Sequence, residues 1–291
     1  MKEIVVISGK GGTGKTSITA ALAMLGGKNI VVADCDVDAA DMHLLMQPDW
    51  AFSEDFYSGE IASIDQEKCI KCGQCAAVCR FKAIPILNDQ YVIKDLNCEG
   101  CGYCAHICPV DAIDMIEQNV GKFYVSNTKA GNKLVHARLK SGADNSGKLV
   151  AKVKKEANLI AEKEKKDYIV VDGSPGIGCP VVSSLSGADY VVLVTEPTVS
   201  GLHDLKRVFL LVKKFGIPAG CIINKADLNL GVTSQIREFM AEYSIDQLPD
   251  FPYDEEFTRA MTEGKTIVEN PESHLAALIT ESWQKIKEMV K

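Results

Sequence analysis

An apolar run, Ile4-Val5-Val6-Ile7, leads into Gly9-Lys10-Gly11-Gly12-Thr13-Gly14-Lys15-Thr16, and a second apolar segment, Ile18 to Leu25, follows. This order reads as strand, loop, helix, and it restricts the fold more than any other stretch of the chain. The loop has the form G-x-x-x-x-G-K-[ST]. Glycines are needed where backbone N–H groups close around a phosphate and a Cβ would obstruct them. The helix start adds a partial positive charge, Lys15 reaches the β and γ oxygens, and the Thr16 hydroxyl can ligate Mg²⁺. Gly9, Gly11, Gly12, Thr13, Gly14, Lys15, Thr16 and Ser17 are therefore the expected nucleotide-binding segment. Such a unit opens an α/β fold with a mostly parallel sheet.

Three further strand ends carry matching chemistry. Asn29 to Ala33 ends in Asp34-Cys35-Asp36-Val37-Asp38, and acids at a strand's C-terminal end lie where α/β sheets bind ligands. Tyr168-Ile169-Val170-Val171-Asp172 runs into Gly173-Ser174-Pro175-Gly176-Ile177-Gly178. An aspartate at that place holds Mg²⁺, usually through water, and a glycine loop can move with the γ-phosphate. Cys221-Ile222-Ile223 ends in Asn224-Lys225-Ala226-Asp227, the pattern N-K-x-D. Read alone, that pattern favours GTP, its aspartate accepting from guanine N1 and N2.

The chain starts on a strand rather than a signal sequence, and no apolar run has the length of a membrane span, so a soluble, cytoplasmic protein is expected. Its eleven cysteines then point to metal or redox chemistry rather than disulfides. Eight of them form two runs, Cys69-x2-Cys72-x2-Cys75-x3-Cys79 and Cys98-x2-Cys101-x2-Cys104-x3-Cys108-Pro109. Each ligand recurs at an offset of 29, as do Gly73/Gly102, Ala83/Ala112 and Ile84/Ile113, so the segment is an internal repeat. The spacing is that of the bacterial ferredoxin [4Fe–4S] site, in which the fourth cysteine of each run serves the other cluster. Cys69, Cys72, Cys75 and Cys108 are expected to hold one cluster, and Cys98, Cys101, Cys104 and Cys79 the other. Two tetrahedral zinc sites are the competing reading, but zinc needs no triple spacing. Arg80 departs from the pattern, standing where the second run has Pro109.

Residues 48 to 62 read as a linker, Lys122 to Asn127 and Leu134 to Lys140 as strands, and Lys148 to Lys166 as a helix with a solvated, charged face. A net charge of -7 argues against nucleic acid as a partner. Leu275, Leu278, Ile279, Trp283, Ile286 and Val290 form a helical stripe whose width suits packing on a core better than a membrane surface.

Lys10, directly after the first glycine, gives the loop the form K-G-G-x-G-K-[ST]. It resembles the deviant Walker A group of P-loop ATPases, the MinD, ParA, Mrp and nitrogenase-iron-protein relatives. The resemblance implies that Lys10 crosses a dimer interface to the partner's nucleotide, and that Asp36 belongs to a D-x-D switch I positioning Mg²⁺ and water. It makes Asp172 and Gly176 part of a D-x-x-P-G switch II, and it favours ATP with Asn224 at the base. Lys10, Lys15 and Asp36 are then the catalytic residues, with Thr16, Asp36 and Asp172 around Mg²⁺. Cys179 matches a cluster-ligand position of the nitrogenase branch, but the second cysteine that branch requires is missing.

The whole chain resembles MinD-superfamily ATPases with an inserted ferredoxin domain. The expected fold is a P-loop NTPase of residues 1–57 and 119–291, interrupted by a small α+β ferredoxin-like domain of two [4Fe–4S] clusters at 58–118. The implied activity is slow, partner-activated ATP hydrolysis, in which an ATP-dependent homodimer gates electron transfer to a redox partner. An iron–sulfur assembly or carrier ATPase with its own protein partner and a redox-sensing MinD-like positioning switch are the alternatives.

Overall fold

The computed structural model describes residues 1–143 and 145–291, and the chain divides into two units. The first comprises Met1–Glu54, Lys122–Ser141 and Ser146–Lys291; the second comprises Asp55–Gly121 and Gly142–Asn145. The elements begin with β1 (Lys2–Ile7), α1 (Lys15–Gly26), β2 (Ile30–Asp34), α2 (Met42–Met46), β3 (Phe52–Ile64), α3 (Gln74–Val78), β4 (Ile86–Leu87), β5 (Gln90–Tyr91) and α4 (Tyr103–His106). They continue with β6 (Ile113–Asn127), β7 (Lys133–Leu139), α5 (Ser146–Lys163), β8 (Tyr168–Asp172), α6 (Cys179–Leu185), β9 (Tyr190–Thr195) and α7 (Val199–Phe215). The last are β10 (Ala219–Ile223), α8 (Leu230–Glu242), β11 (Asp246–Gln247), α9 (Glu256–Thr262) and α10 (His274–Met289).

Among the described residues the large sheet has nine strands in the order β11-β10-β9-β1-β8-β2-β7-β6-β3. From β11 to β7 every pairing is parallel. The central strands are continuous apolar runs, as a sheet covered on both faces requires. In register Val6 and Asp34 both stand opposite Asp172, so the acids and the loop after β1 share one sheet edge. Ile18, Ala21 and Leu22 of α1 pack with Ile4, Val6, Val32 and Val170, fixing the helix start at that edge. Leu275, Ile279, Trp283, Ile286 and Val290 join the same core, so the C-terminal stripe is packing surface. Among the described residues no helix is long and apolar enough to cross a membrane.

Two expectations are corrected. Much of the stretch read as a linker is strand β3, and only Ser58 and Ala62 of that strand are buried. Its composition resembles a loop because few of its side chains enter a core. In α5, whose lysines were expected in solvent, Lys154 is buried against Glu3 Oε1 at 2.6 Å. It also donates to the Ser184 and Ser186 carbonyls, so it ties α5 to β1 and to the end of α6.

The second unit shows the repeat in its backbone. α3 and α4 begin 29 residues apart, each behind a left-handed glycine, Gly73 at φ 80° and Gly102 at φ 71°. Lys82 and Asp111, also 29 apart, share the left-handed region at φ 53° and 47°. Ala83, Ile84 and Ile113 pack with Ala62 and Cys75 into a small core. β4 and β5 pair antiparallel across Asn88-Asp89, both at positive φ, as a tight hairpin turn demands.

Candidate functional site

In the first unit, a cavity of about 550 Å³ opens on the loop between β1 and α1. Gly11 to Ser17, Asp36 and Asn224 line it. The loop's conformation explains its glycines. Gly14, at φ 88°, caps α1, and a Cβ there would sit 2.5 Å from Asn224 Nδ2. That amide donates to Thr13 O at 2.9 Å, so Asn224 braces the loop it faces. Gly9 and Gly176 stand outside the lining: Gly9 lies against the Asp204 backbone, and Gly176 N donates to Ser8 O at 2.9 Å.

At the cavity floor, charges converge. Lys15 Nζ is 2.8 Å from Asp172 Oδ1 and 3.4 Å from Asp36 Oδ2, and Thr16 Oγ1 donates to Asp172 Oδ2 at 2.8 Å. Asp172 is fully buried, with Thr19 Oγ1 3.0 Å from its Oδ1. Asp34 is buried beside them, and its Oδ2 has no hydrogen-bond partner among the described residues. Burial, and then the Asp172 carboxylate, push the Asp34 carboxyl up to about 8. Burial also raises Asp36, with Lys15 opposing. Burial would lower Lys15, but Asp172, Asp36 and Asp34 outweigh it and hold the ammonium above its ordinary value. Two carboxylates, Asp36 and Asp172, share one lysine, and Asp34 beside them adds an orphaned oxygen. A hard divalent cation with oxygen ligands fits this donor set.

Lys10 points elsewhere, at Glu196, Thr198 and Ser200. Sequence reading missed the cavity's apolar wall, formed by Leu44, Leu45, Pro252, Tyr253, Phe257 and Met261. These side chains come from α2 and from 252–261, which carry no motif. Asp227, the last residue of N-K-x-D, is not part of the lining; its Oδ1 accepts from Tyr253 N at 2.6 Å.

The second unit holds two thiol-lined cavities. Cys79, Cys98, Cys101 and Cys104 meet in one of about 400 Å³, and Cys69, Cys72, Cys75 and Cys108 in one of about 20 Å³. Each set takes three cysteines from one run and the fourth from the other. Ala83 N donates to Cys79 Sγ and Ala112 N to Cys108 Sγ, both at 3.3 Å, so the repeat extends to hydrogen bonds on the crossing thiols. Four soft sulfur donors around each space fit iron–sulfur ligation. Outside this unit, Cys35 and Cys221 are buried and burial raises their thiols, while Cys179 is exposed at the start of α6.

Residues 62–115 match the family described as a 4Fe-4S dicluster domain. An uncharacterized protein of Methanocaldococcus jannaschii is 34% identical over 99% of this chain and 97% of its own. The septum site-determining protein MinD of Bacillus subtilis is 25% identical over 93% of this chain and 83% of its own. The structure of MinD from Pyrococcus horikoshii complexed with Mg-ADP superposes with a TM-score of 0.59 at 20% identity, covering 98% of this chain and 95% of that one. The parallel sheet with its phosphate loop has its counterpart in MinD and the thiol-lined insertion in the dicluster family, and the chain belongs to the MinD/ParA-type P-loop ATPases, carrying an inserted iron–sulfur domain.

Proposed function

We propose that this chain is a Mg-ATP-dependent iron–sulfur protein in which nucleotide-driven pairing of two copies gates electron transfer through two [4Fe–4S] clusters. The reading is carried by one observation: the eight repeat cysteines sort into two tetrads in a chain whose Asp36 and Asp172 converge on Lys15 and Thr16 at the phosphate loop. The insertion falls, in sequence, between Asp36 and Asp172, the two acids that respond to a γ-phosphate.

In this reading the backbone amides of Gly11 to Thr16 cradle the phosphates, and Lys15 leaves Asp172 to neutralise β and γ oxygens. Thr16 and Asp172, freed of that lysine, hold Mg²⁺, and Asp36 orients the attacking water. The metal supplies charge neutralisation at the transferring phosphoryl group. Lys10 leaves Glu196 to meet the nucleotide of a second copy. Adenine is favoured over guanine, because Asn224 lines the cavity while Asp227, which would read guanine, stands outside the lining. Cys69, Cys72, Cys75 and Cys108 ligate one cluster; Cys79, Cys98, Cys101 and Cys104 ligate the other. The protein works in the cytoplasm with a redox partner protein.

The test is anaerobic purification with iron and sulfide analysis, EPR of the reduced protein, and ATPase rates with the clusters oxidised and reduced. About eight irons per chain whose redox behaviour changes with ATP supports the reading. Clusters that pass readily to an apo acceptor point instead to a carrier, and clusters indifferent to nucleotide in a protein whose localisation follows ATP point to a positioning switch. Competition by GTP as effective as by ATP removes the base assignment.

A further inference from the structure

The two halves of the iron–sulfur unit agree in their ligands and turns, and two of their differences face the same cavity. At the repeat offset, Arg80 stands where the other half has Pro109, and Glu99 stands where it has Ile70. Arg80 and Glu99 line the cavity of about 400 Å³; Pro109 and Ile70 line the one of about 20 Å³. Among the described residues neither Arg80 nor Glu99 forms an ion pair, and both are exposed. Apolar side chains form most of both linings and each tetrad has one exposed cysteine, Cys101 and Cys72, so what sets the first site apart is its larger space and its two charged residues.

Resting on the reading that each cavity holds a [4Fe–4S] cluster, we infer that the site of Cys79, Cys98, Cys101 and Cys104 has the higher reduction potential, is raised there by Arg80, and is where electrons enter and leave. Reduction adds one negative charge to a site that is already anionic. A nearby cation and access to water stabilise that added charge, while an apolar enclosure penalises it. Arg80 and the open cavity act in the same direction. Glu99 opposes Arg80, and the larger space around the thiolates remains. Exchange is with a low-potential one-electron carrier, which is oxidised by one electron as the site is reduced by one, with no bond or proton transferred.

The experiment is a potentiometric titration of the full-length anaerobic protein followed by EPR, on the wild type, Arg80→Gln, Arg80→Lys and Glu99→Gln. The wild type reduces in two steps. Arg80→Gln moves the upper step to lower potential, changing the reduced-to-oxidised ratio at fixed solution potential by about three- to tenfold, as one charge near a protein surface does. Arg80→Lys leaves that step in place, which also controls for folding, and Glu99→Gln moves it upward. The lower step stays fixed in all three. Cys108→Ser, which strips the smaller cavity of a ligand, removes the lower step. Rapid freezing after mixing with reduced methyl viologen shows the upper-step signal first.

The inference is overturned if Arg80→Gln moves the lower step or neither, if Cys108→Ser removes the upper one, or if the other site fills first. A protein without bound iron and sulfide, or one that takes up a single electron, refutes the two-cluster reading itself, which is a different result.

Discussion

Lys10 Nζ lies 2.7 Å from Glu196 Oε1, while the other Glu196 oxygen lies 3.1 Å from Lys225 Nζ. The lysine that marks this branch of P-loop proteins is thus held by its own chain. Burial would raise the Glu196 carboxyl, but hydrogen bonds from Lys10 and Lys225 keep it below its ordinary value. Partly exposed pairs contribute at most about 1 kcal/mol, so this latch is light enough for a nucleotide to open.

Glu196→Gln weakens the latch and leaves Lys10 free to reach across. The expected outcome is a two- to fivefold rise in the ATP-dependent dimerisation constant, about 0.5–1 kcal/mol, by ultracentrifugation with a slowly hydrolysed ATP analogue. Lys10→Ala should remove dimer-dependent hydrolysis and spare nucleotide binding. Unchanged turnover in that variant would end the case for a shared site.

Asp172→Ala leaves Lys15 buried with Asp36, at 3.4 Å, as its remaining ion-pair partner. Removing one partner of a buried ion pair costs about 3 kcal/mol, so the nucleotide-free protein should lose that much in urea denaturation. Mg²⁺-dependent hydrolysis should vanish as well. A variant as stable as the wild type would show that Lys15 finds another partner or leaves the interior.

Cys108→Ser and Cys79→Ser test the crossed ligand sets. Each should reduce the iron content from about eight to about four per chain. The two variants should lose different EPR signals. Loss of the same signal in both would contradict the sorting of the thiols between two cavities.

His136 gives a pH dependence with a definite sign. Buried against Trp50 and Tyr124, with Ser126 Oγ 3.3 Å from Nε2, its imidazole is lowered to about 4 by burial and then by His43. An unfolded histidine titrates near 6.5, so between these values the unfolded chain binds more protons. The contribution is complete above about pH 6.5 and lost as pH falls toward 4, on the order of 3 kcal/mol. His136→Gln should flatten the stability profile in that window; an unchanged slope assigns the acid sensitivity elsewhere.

The phosphate loop, the strand-end acids and each run of the cysteine repeat were readable because each packs its chemistry into fewer than a dozen consecutive residues. What escaped depends on distance in sequence or on weak local contrast. Glu196 meets Lys10 across 186 positions, and no spacing rule joins them. The apolar wall of Tyr253, Phe257 and Met261 consists of ordinary core-type residues whose role comes from folding back over the loop. β3 was missed because most of its side chains face solvent, erasing the alternation that marks a strand. Lys154 misled in the opposite way, since a lysine among lysines gives no sign that it is buried on Glu3.

The crossing of Cys79 and Cys108 bears on how this insertion can be cut or rebuilt. Each half of the repeat donates a thiol to the other's cavity. Neither half can therefore be excised, transplanted or expressed alone with a complete metal site. The duplicated segment behaves as a pair of clasped hands, and an engineer moving it into another loop must carry the full span or lose both centres at once.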